Sequence, residues 1–408
     1  MLRSKTQALA MFAITVLTSS SHAGNTMVVD DDGGSGVFTD IQAAIDASSN
    51  FSVILIKDGV YGGFTLDGEY RYIVAESGAD VDCTGPVEIK NIHSAHTSIQ
   101  GLDIAPPPIG PALKITNCSG GVFLDRCTMV GNGLPIFIAG QAAVVENADS
   151  VMFSSCQLSV ASGAGPAQGL YQNDSNVALY GCDVTGGDGE MGLPGGDACL
   201  MVGGTLFASG CEFRGGVGSD GTVTSPFGLC TDGQKGGAGI VLSALGAPSE
   251  PIVRFVETDF FGGAGGAPGG TGCNSGPNGF TMDASVGEMH QLPGSARHFD
   301  ITSPVREGKA GNLTIVGEPG DYVWFVASFA QSQTYVADLR GVMLPTLDQT
   351  LIPIGFLPAN GVLHASLTVP VHASTDSYAL MEQVVHWSSS TGFNLSNPRL
   401  SAILDKNF

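Results

Sequence analysis

The chain has few cationic side chains. Lys and Arg total 16 against 38 Asp and Glu in 408 residues, and the formal net charge is −22. A surface this acidic repels phosphate backbones and anionic lipids, so nucleic acid and membrane surfaces are excluded as favoured partners. An acidic polysaccharide is repelled for the same reason unless a cation bridges the two molecules.

Charged residues of both signs make up only 13% of the chain, and there are two Trp, while Gly reaches 59 and apolar residues 43%. Such a chain is too apolar to be disordered and too rich in Gly for ordinary helical packing. No apolar run beyond residue 23 is long enough for a transmembrane helix.

The first 23 residues have the pattern of a secretory signal peptide. Arg3 and Lys5 supply the positive start, Ala8–Leu17 the apolar stretch, and Ser21–Ala23 the small residues before the cut. The alternative, a buried N-terminal helix, remains open. We expect cleavage after Ala23 and a secreted, periplasmic or cell-surface protein.

One short phrase occurs six times between Ser98 and Phe260. Each copy has an apolar pair, a small polar or Gly step, an anchor residue, one polar residue and a large apolar residue. The anchors recur every 25 to 29 residues until a longer insert precedes the last: Leu102, Cys127, Cys156, Cys182, Cys211 and Thr258. Repeats of this length are supersecondary units that bury their apolar faces only by stacking on neighbours.

These segments are short, β-rich and separated by Gly and Asn rather than by helical periodicity, which favours one coil of strands per repeat. Stacked coils place successive anchors ~4.8 Å apart in one interior file, where small side chains fit. The sequence therefore predicts an all-β fold: a right-handed parallel β-helix over residues 24–291.

The segment before the repeats predicts a short helix. Thr39 or Asp40 is positioned to cap it, and Ile41, Ala44 and Ile45 fall on one face. The run Gly34–Ala47 followed by Ile56–Tyr61 resembles the opening of the pectate-lyase-like superfamily, especially pectin methylesterases. The resemblance implies that the helix covers the open end of the β-helix.

The catalytic phrases of that superfamily are not found in the sequence. Nothing matches the Gln-Asp-Thr phrase of pectin methylesterases, and in Pro135–Gly140, the nearest match to their second phrase, the nucleophilic Asp is replaced by Pro135. The calcium site and adjacent base of pectate lyases find no match either. The resemblance therefore implies a fold that serves many activities, without an identified reaction.

The residue after each anchor forms a second column, which is acidic in its C-terminal half: Asp103, Thr128, Gln157, Asp183, Glu212 and Asp259. Asp183 and Glu212 are predicted on neighbouring coils, roughly 5 Å apart at the backbone. Two such carboxylates can share a proton, bind calcium or act as an acid/base pair on a glycosidic bond. An outward-facing polar row is the alternative, because strand alternation alone requires polar residues there.

Three Gly-rich loops interrupt the later repeats: Thr185–Ala198, Gly215–Gly239 and Gly262–Gly279. They leave the coil at one place and should form one lobe. Carboxylates and Gly carbonyls are hard oxygen ligands, so Asp188, Glu190 and Asp197 are candidates for calcium. The alternative is a lobe of Gly turns held by a disulfide.

The nine Cys fall into three groups. Cys127, Cys156, Cys182 and Cys211 point the same way from adjacent coils, and we expect buried free thiols that pack as small hydrophobes. Cys230 and Cys273 lie in Gly-rich loops of successive repeats and are the candidates for a disulfide. Cys83, Cys118 and Cys199 are left unassigned.

Beyond Gln291 the Gly-rich loops give way to conventional alternating strands. Seven short strands over residues 292–408 predict an antiparallel β-sandwich. Leu380–Trp387 and Phe393–Leu404 resemble a C-terminal module found on many secreted planctomycete proteins. Trp387 is a candidate platform for sugar stacking or, alternatively, a core residue.

Three functions follow as hypotheses. The first is a secreted or cell-surface β-helix protein that associates with polysaccharide or cell-surface components without catalysis. The second is a carbohydrate-active enzyme, a glycoside hydrolase or polysaccharide lyase, that uses Asp183 and Glu212. Adhesion through calcium-loaded loops is a third interpretation.

Overall fold

We describe a computed structural model of the chain. It describes residues 24–105, 110–132, 140–161, 166–224, 229–329, 331–345, 351–369, 371 and 377–406. The expected signal peptide, residues 1–23, lies outside the described residues.

The predicted fold class is confirmed: parallel strands are stacked into a β-helix, and antiparallel sheets follow it. Each coil passes through three parallel sheets in turn. Sheet I has ten strands: Thr26–Val29, Val53–Ile56, Tyr72–Ala75, His96–Gln100, Gly121–Asp125, Val151–Ser154, Asn176–Tyr180, Thr205–Ser209, Ile252–Val256 and Glu288–Gln291.

The other two faces of the β-helix have eight strands each. Sheet II consists of Gly59–Tyr61, Val81–Cys83, Asp103–Ile104, Thr128–Gly131, Gln157–Val160, Asp183–Thr185, Glu212–Arg214 and Asp259–Phe261. Sheet III consists of Phe64–Asp67, Val87–Lys90, Leu113–Cys118, Ala143–Ala148, Leu170–Asn173, Cys199–Val202, Ile240–Ser243 and Met282–Asp283.

The anchors lie at the corner between sheets I and II, all buried, as the repeat predicts. The residue before each anchor has a left-handed φ, which suits Gly at three of the six positions and is adopted by larger polar residues at two: Gly101, Arg126, Ser155, Gly181, Gly210 and Glu257. The backbone N–H of Cys156 donates to Sγ of Cys182 at 3.4 Å, and that of Cys182 donates to Sγ of Cys211 at 3.4 Å. The anchors therefore form one file that also hydrogen-bonds from coil to coil.

The helix Ile41–Ala47 covers the first coils, as expected. Asp40 is its N-cap and accepts a hydrogen bond from the backbone N–H of Ala43 at 3.0 Å. Ile41, Ala44 and Ile45 are buried and join the core that fills the β-helix. The helix thus shields the interior apolar residues at this end of the β-helix.

The three Gly-rich loops leave between sheets II and III and stack on one another; we call them the glycine lobe. Their hydrogen bonds repeat every third residue. Gly186 and Gly189 donate to the carbonyls of Arg214 and Val217. Gly215, Gly218 and Gly221 donate to Phe261, Ala264 and Ala267, and Gly233, Gly236 and Gly239 donate to Asn274, Pro277 and Phe280. A period of three is that of extended polyproline-II segments.

Close backbone approach, rather than a positive φ, requires glycine at most glycine positions of this lobe; Gly192 and Gly272 are exceptions with a positive φ. A Cβ added at Gly237 would lie 1.9 Å from the carbonyl oxygen of Gly196, and one at Gly216 would lie 2.0 Å from that of Gly187. Neither Gly237 nor Gly216 has a left-handed φ. The lobe is therefore an ordered bundle of extended segments. A short antiparallel pair, Val223–Thr224 and Leu229–Cys230, lies at its outer end.

The C-terminal module, residues 292–408, contains the predicted sandwich. One sheet consists of His298–Ile301, Ala310–Val316 and Val362–Thr368; the other consists of Val305–Arg306, Arg399–Leu404, Ser377–Ser388, Tyr322–Ser328 and Leu351–Phe356, with Gly392–Leu395 paired to Ser377–Ser388. A 3-10 turn, Ala337–Leu339, joins the strands of a separate hairpin, Gln331–Val336 and Gly341–Pro345. The sequence analysis did not predict this hairpin.

The module lies along the outer face of sheet I. The outward residues of that sheet pair in register as a column, Phe123, Met152, Ala178 and Phe207, and all four are buried. They belong to one apolar cluster with residues of the module such as Val342, Met381 and Leu400. The β-helix and the module therefore share a hydrophobic core.

A buried polar network crosses the same seam. Arg399 of the module forms an ion pair with Asp125 of sheet I, and both side chains are almost fully buried. Asp125 also accepts a hydrogen bond from Nε2 of Gln100 at 2.8 Å, and Oε1 of Gln100 accepts one from Ser303 at 2.7 Å. Buried charges are tolerated when they are paired and hydrogen-bonded, as they are here.

Candidate functional site

The outer row of sheet II is the polar column that follows the anchors. Asp183 pairs in register with Glu212, and Glu212 with Asp259. Asp183 and Asp259 are exposed, and Glu212 is partly exposed. The structure therefore brings together the two carboxylates singled out from the sequence, on neighbouring strands of an open face.

An arginine and an aromatic ring lie beside the C-terminal end of this row. Nε of Arg214 donates to Oε1 of Glu212 at 3.1 Å. The Arg214 guanidinium lies 4.8 Å from the centre of the Phe261 ring. Phe261, on the next strand, is 38% exposed. This end offers a carboxylate, a guanidinium and an accessible ring side by side.

The same row extends further toward the N-terminus than the repeat phrase indicated. Asp82 pairs in register with Asp103. Oxygens of Asp80, Asp82 and Asp103 all lie within 4.8 Å of one another, and the three side chains are exposed. Sequence reasoning missed Asp80 and Asp82, although the alternation Val81-Asp82-Cys83 continues the pattern of the row.

The proposed calcium ligands of the glycine lobe accept backbone hydrogen bonds. Oδ1 of Asp188 accepts from the N–H of Val217 at 2.7 Å, and Oδ1 of Asp197 accepts from the N–H of Ala238 at 2.7 Å. Burial raises the pKa of Asp197. Glu190 is exposed. Both aspartates thus join the first loop of the lobe to the second loop.

Within the described part of the chain, the three carboxylates that approach one another to within 4.8 Å are those of Asp80, Asp82 and Asp103. Asp188, Glu190 and Asp197 do not form such a set among these residues. A calcium role for the lobe stays a prediction. If the lobe binds calcium, EDTA should lower the melting temperature of the protein. An unchanged melting temperature would count against a calcium site.

The disulfide predicted between Cys230 and Cys273 is present, with the two Cα atoms 6.0 Å apart. It joins the second and third loops of the lobe. The other seven cysteines are free and buried, including Cys83, Cys118 and Cys199. Burial raises the pKa of the Cys127, Cys156 and Cys182 thiols. The thiols of Cys127, Cys156 and Cys182 therefore act as packing groups rather than as nucleophiles.

Two further residues were singled out from the sequence, Pro135 and Trp387. Pro135, at the position of the esterase nucleophile, lies outside the described residues. Trp387 is 40% exposed and pairs in register with Tyr322 and Phe393. It is therefore a surface residue rather than a core residue.

A groove that the sequence did not indicate runs between the C-terminal half of sheet I and the hairpin 331–345. Its volume is about 250 Å³. The turn before Val151 provides Asp149, strands of sheet I provide Asn176, Thr205 and Arg254, and the hairpin provides Gln333 and Tyr335. We call it the seam groove. Its walls are far apart in sequence and meet only because the module docks on sheet I.

The comparisons with known proteins leave the family open. No protein-family model matches the sequence, and no curated protein matches it. Among solved structures, a superoxide reductase (neelaredoxin) from Ignicoccus hospitalis aligns with 26% of this chain and 80% of its own, at 6% identity and a TM-score of 0.17. A likeness this slight carries no argument about fold or function. In the described residues, the helices are too short or too polar to cross a bilayer.

Proposed function

We propose that this chain is a secreted or cell-surface β-helix protein that binds neutral polysaccharide without cleaving it. The observation that carries the proposal is the outer row of sheet II. It presents one polar side chain per coil, ~4.8 Å apart, and its last member, Asp259, lies two residues before the exposed Phe261 ring. A regular row of hydrogen-bonding groups beside an aromatic ring suits an extended polymer with many hydroxyls.

The charge of the chain selects among polymers. At a net charge of −22, an anionic polysaccharide would meet a repulsive surface. A neutral polymer has hydroxyls that both donate to carboxylates and accept from Arg214. Export to the cell exterior, proposed from the first 23 residues, would place the protein where such polymers occur.

Kinship with the pectate-lyase-like superfamily belongs to the same proposal. It is supported by the helix that covers the first coils and by the three parallel sheets. The sequence lacks the esterase and lyase phrases of that superfamily, so kinship implies architecture and a polysaccharide context rather than a reaction.

The test is retardation of the whole protein in native gels that contain soluble neutral plant or algal polysaccharides. We expect retardation by at least one polymer, and a loss of most of it in Phe261→Ala because the aromatic ring beside the row is removed. Phe356→Ala is the matched control, since Phe356 is a 67% exposed phenylalanine in the module. Retardation by none of the polymers, or equal retardation of both variants, would defeat the proposal.

A glycoside hydrolase or polysaccharide lyase is the second candidate, favoured by the in-register pairing of Asp183 and Glu212. An acid/base pair needs one carboxyl group that keeps its proton at working pH, usually in a shielded site. Here Asp183 is exposed and Glu212 contacts Arg214. Release of reducing ends that disappears in Asp183→Ala would establish the enzyme; binding without release would exclude it.

A further inference from the structure

The seam groove is lined by two charged groups, Asp149 and Arg254. In the described residues, neither the carboxylate of Asp149 nor the guanidinium of Arg254 has a hydrogen bond or ion pair, although both line the groove. By contrast, Gln333 is fully engaged: its Oε1 accepts from Ser150 at 2.5 Å and its Nε2 donates to the carbonyl of Val151 at 3.0 Å. The groove therefore combines a fixed wall with two available charges.

Arg254 is held in place by stacking. Its guanidinium lies 4.7 Å from the centre of the Tyr335 ring, which in turn lies 6.0 Å from that of Phe207. Arg254 pairs in register with Phe207 and follows directly on the apolar stretch of the outward column of sheet I, from Phe123 to Phe207. Arg254 therefore lies where the module no longer buries the outward column of sheet I and the groove begins.

The hairpin that forms the other wall is anchored directly on sheet I. The hydroxyl of Tyr180 accepts from the N–H of Val342 at 2.9 Å and donates to the carbonyl of Val342 at 3.1 Å. Tyr180 is buried. The wall that carries Tyr335 is thus pre-organised, which lowers the ordering cost of binding a ligand.

The chemistry of the lining identifies the ligand class. A guanidinium only donates hydrogen bonds and a carboxylate only accepts them, so a ligand that satisfies both must accept and donate. Hydroxyl groups do both. Asn176 and Thr205 also line the groove, but Oγ1 of Thr205 donates to Oδ1 of Asn176 at 2.7 Å, so the selection of the ligand depends on Arg254 and Asp149. An anion would gain from Arg254 but would be opposed by Asp149 and by the acidic surface.

We propose that the seam groove binds one or two residues of a neutral glycan, with Arg254 and Asp149 as its hydrogen-bonding pair. This rests on the proposed polysaccharide association and adds a second site, separate from the outer row of sheet II. The size is consistent, because about 250 Å³ is smaller than most drug-sized ligand pockets. The groove admits a short saccharide rather than a folded chain.

The experiment is isothermal titration of the whole protein with neutral monosaccharides and their disaccharides: glucose, mannose, galactose and N-acetylglucosamine. We expect at least one to bind, and Arg254→Met and Asp149→Asn each to weaken it about tenfold or more, because each removes a charge-assisted hydrogen bond. Lys235→Met is the matched control, since Lys235 also stacks on an aromatic ring, 4.3 Å from the centre of Phe280 in the glycine lobe.

The outcomes separate the two sites. Saccharide binding that both seam variants leave unchanged, or no binding by any saccharide, overturns the seam proposal even if polysaccharide retardation depends on Phe261. Seam-dependent saccharide binding without Phe261-dependent retardation supports the seam and defeats the outer row. Arg254-dependent binding of gluconate in preference to glucose would overturn the assignment to neutral glycans. Asp149→Asn, a change at an exposed site, serves as the test if Arg254→Met fails to fold.

Discussion

Sheets I and II are built by the same repeat but have opposite outer faces. In sheet I the outward column of Phe123, Met152, Ala178 and Phe207 is buried beneath the module. In sheet II the outward row that includes Gln157, Asp183 and Glu212 meets solvent. The comparison shows that one face of a β-helix can be interior to the whole protein while its neighbour stays free to bind.

The largest effect should come from truncating an outward residue of the covered sheet. Phe123→Ala is expected to lower the free energy of unfolding by about 3–5 kcal/mol, because it opens a cavity between sheet I and the module. Gln157→Ala, the matched truncation on sheet II, should change it by no more than about 0.5 kcal/mol. Urea unfolding of both variants measures this. A similar decrease in the free energy of unfolding in the two variants would show that the two faces do not differ in burial.

A pH-dependent effect should appear inside the module. Burial raises the pKa of Glu382 to about 8, from its ordinary value of 4.5. Between these values the unfolded chain ionises while the folded one keeps its proton, so this contribution to stability is complete below pH 4.5 and is lost as pH rises through 8.

Glu382→Gln removes the titrating group. We expect its free energy of unfolding relative to wild type to increase by up to a few kcal/mol between pH 5 and pH 8, because only the wild type loses this contribution. Denaturant unfolding at both pH values measures the change. A difference between the two proteins that does not vary with pH would show that Glu382 is ionised in the folded state.

A smaller loss of stability is expected in the glycine lobe. Its segments pack through direct backbone contacts, whereas the sheets pack through side chains. Gly237→Ala should destabilise the lobe by about 1–3 kcal/mol, because the new Cβ meets the carbonyl oxygen of Gly196. Gly62→Ala is the control, since the atom nearest to a Cβ added at Gly62 is a side-chain oxygen of Asp40, 3.8 Å away. Hydrogen exchange of residues 186–239 measures this, and equal protection in both variants would mean that the lobe is loosely packed.

Features that depend on local periodicity could be predicted from the sequence. The anchors, the capping helix and the Cys230–Cys273 pair follow from repeat spacing, the helical face of Ile41 and Ile45, and the position of the loops. The period of three in the lobe is equally visible in the sequence, at Gly215, Gly218 and Gly221, whereas a high Gly content alone predicts turns. A regular Gly spacing marks close backbone packing as well as turn formation.

Features that depend on docking could not be predicted in the same way. The strands Val53–Ile56 and Val151–Ser154 begin with unbroken apolar runs, which is the signal of a sheet covered on both faces. That signal does not say what covers the sheet. The seam groove unites Asp149, Arg254 and Tyr335 only after the module has docked, so no local pattern in the sequence could reveal it.

The central claim is that the module and the β-helix form one folded unit across sheet I. A double-mutant cycle on the seam ion pair, Asp125→Ala and Arg399→Ala, tests it most directly through denaturant unfolding of the four proteins. We predict a single transition in each and a coupling energy of about 2 kcal/mol, because the two buried charges compensate each other. Additive effects within about 0.5 kcal/mol, or two separate transitions in the wild type, would contradict the account.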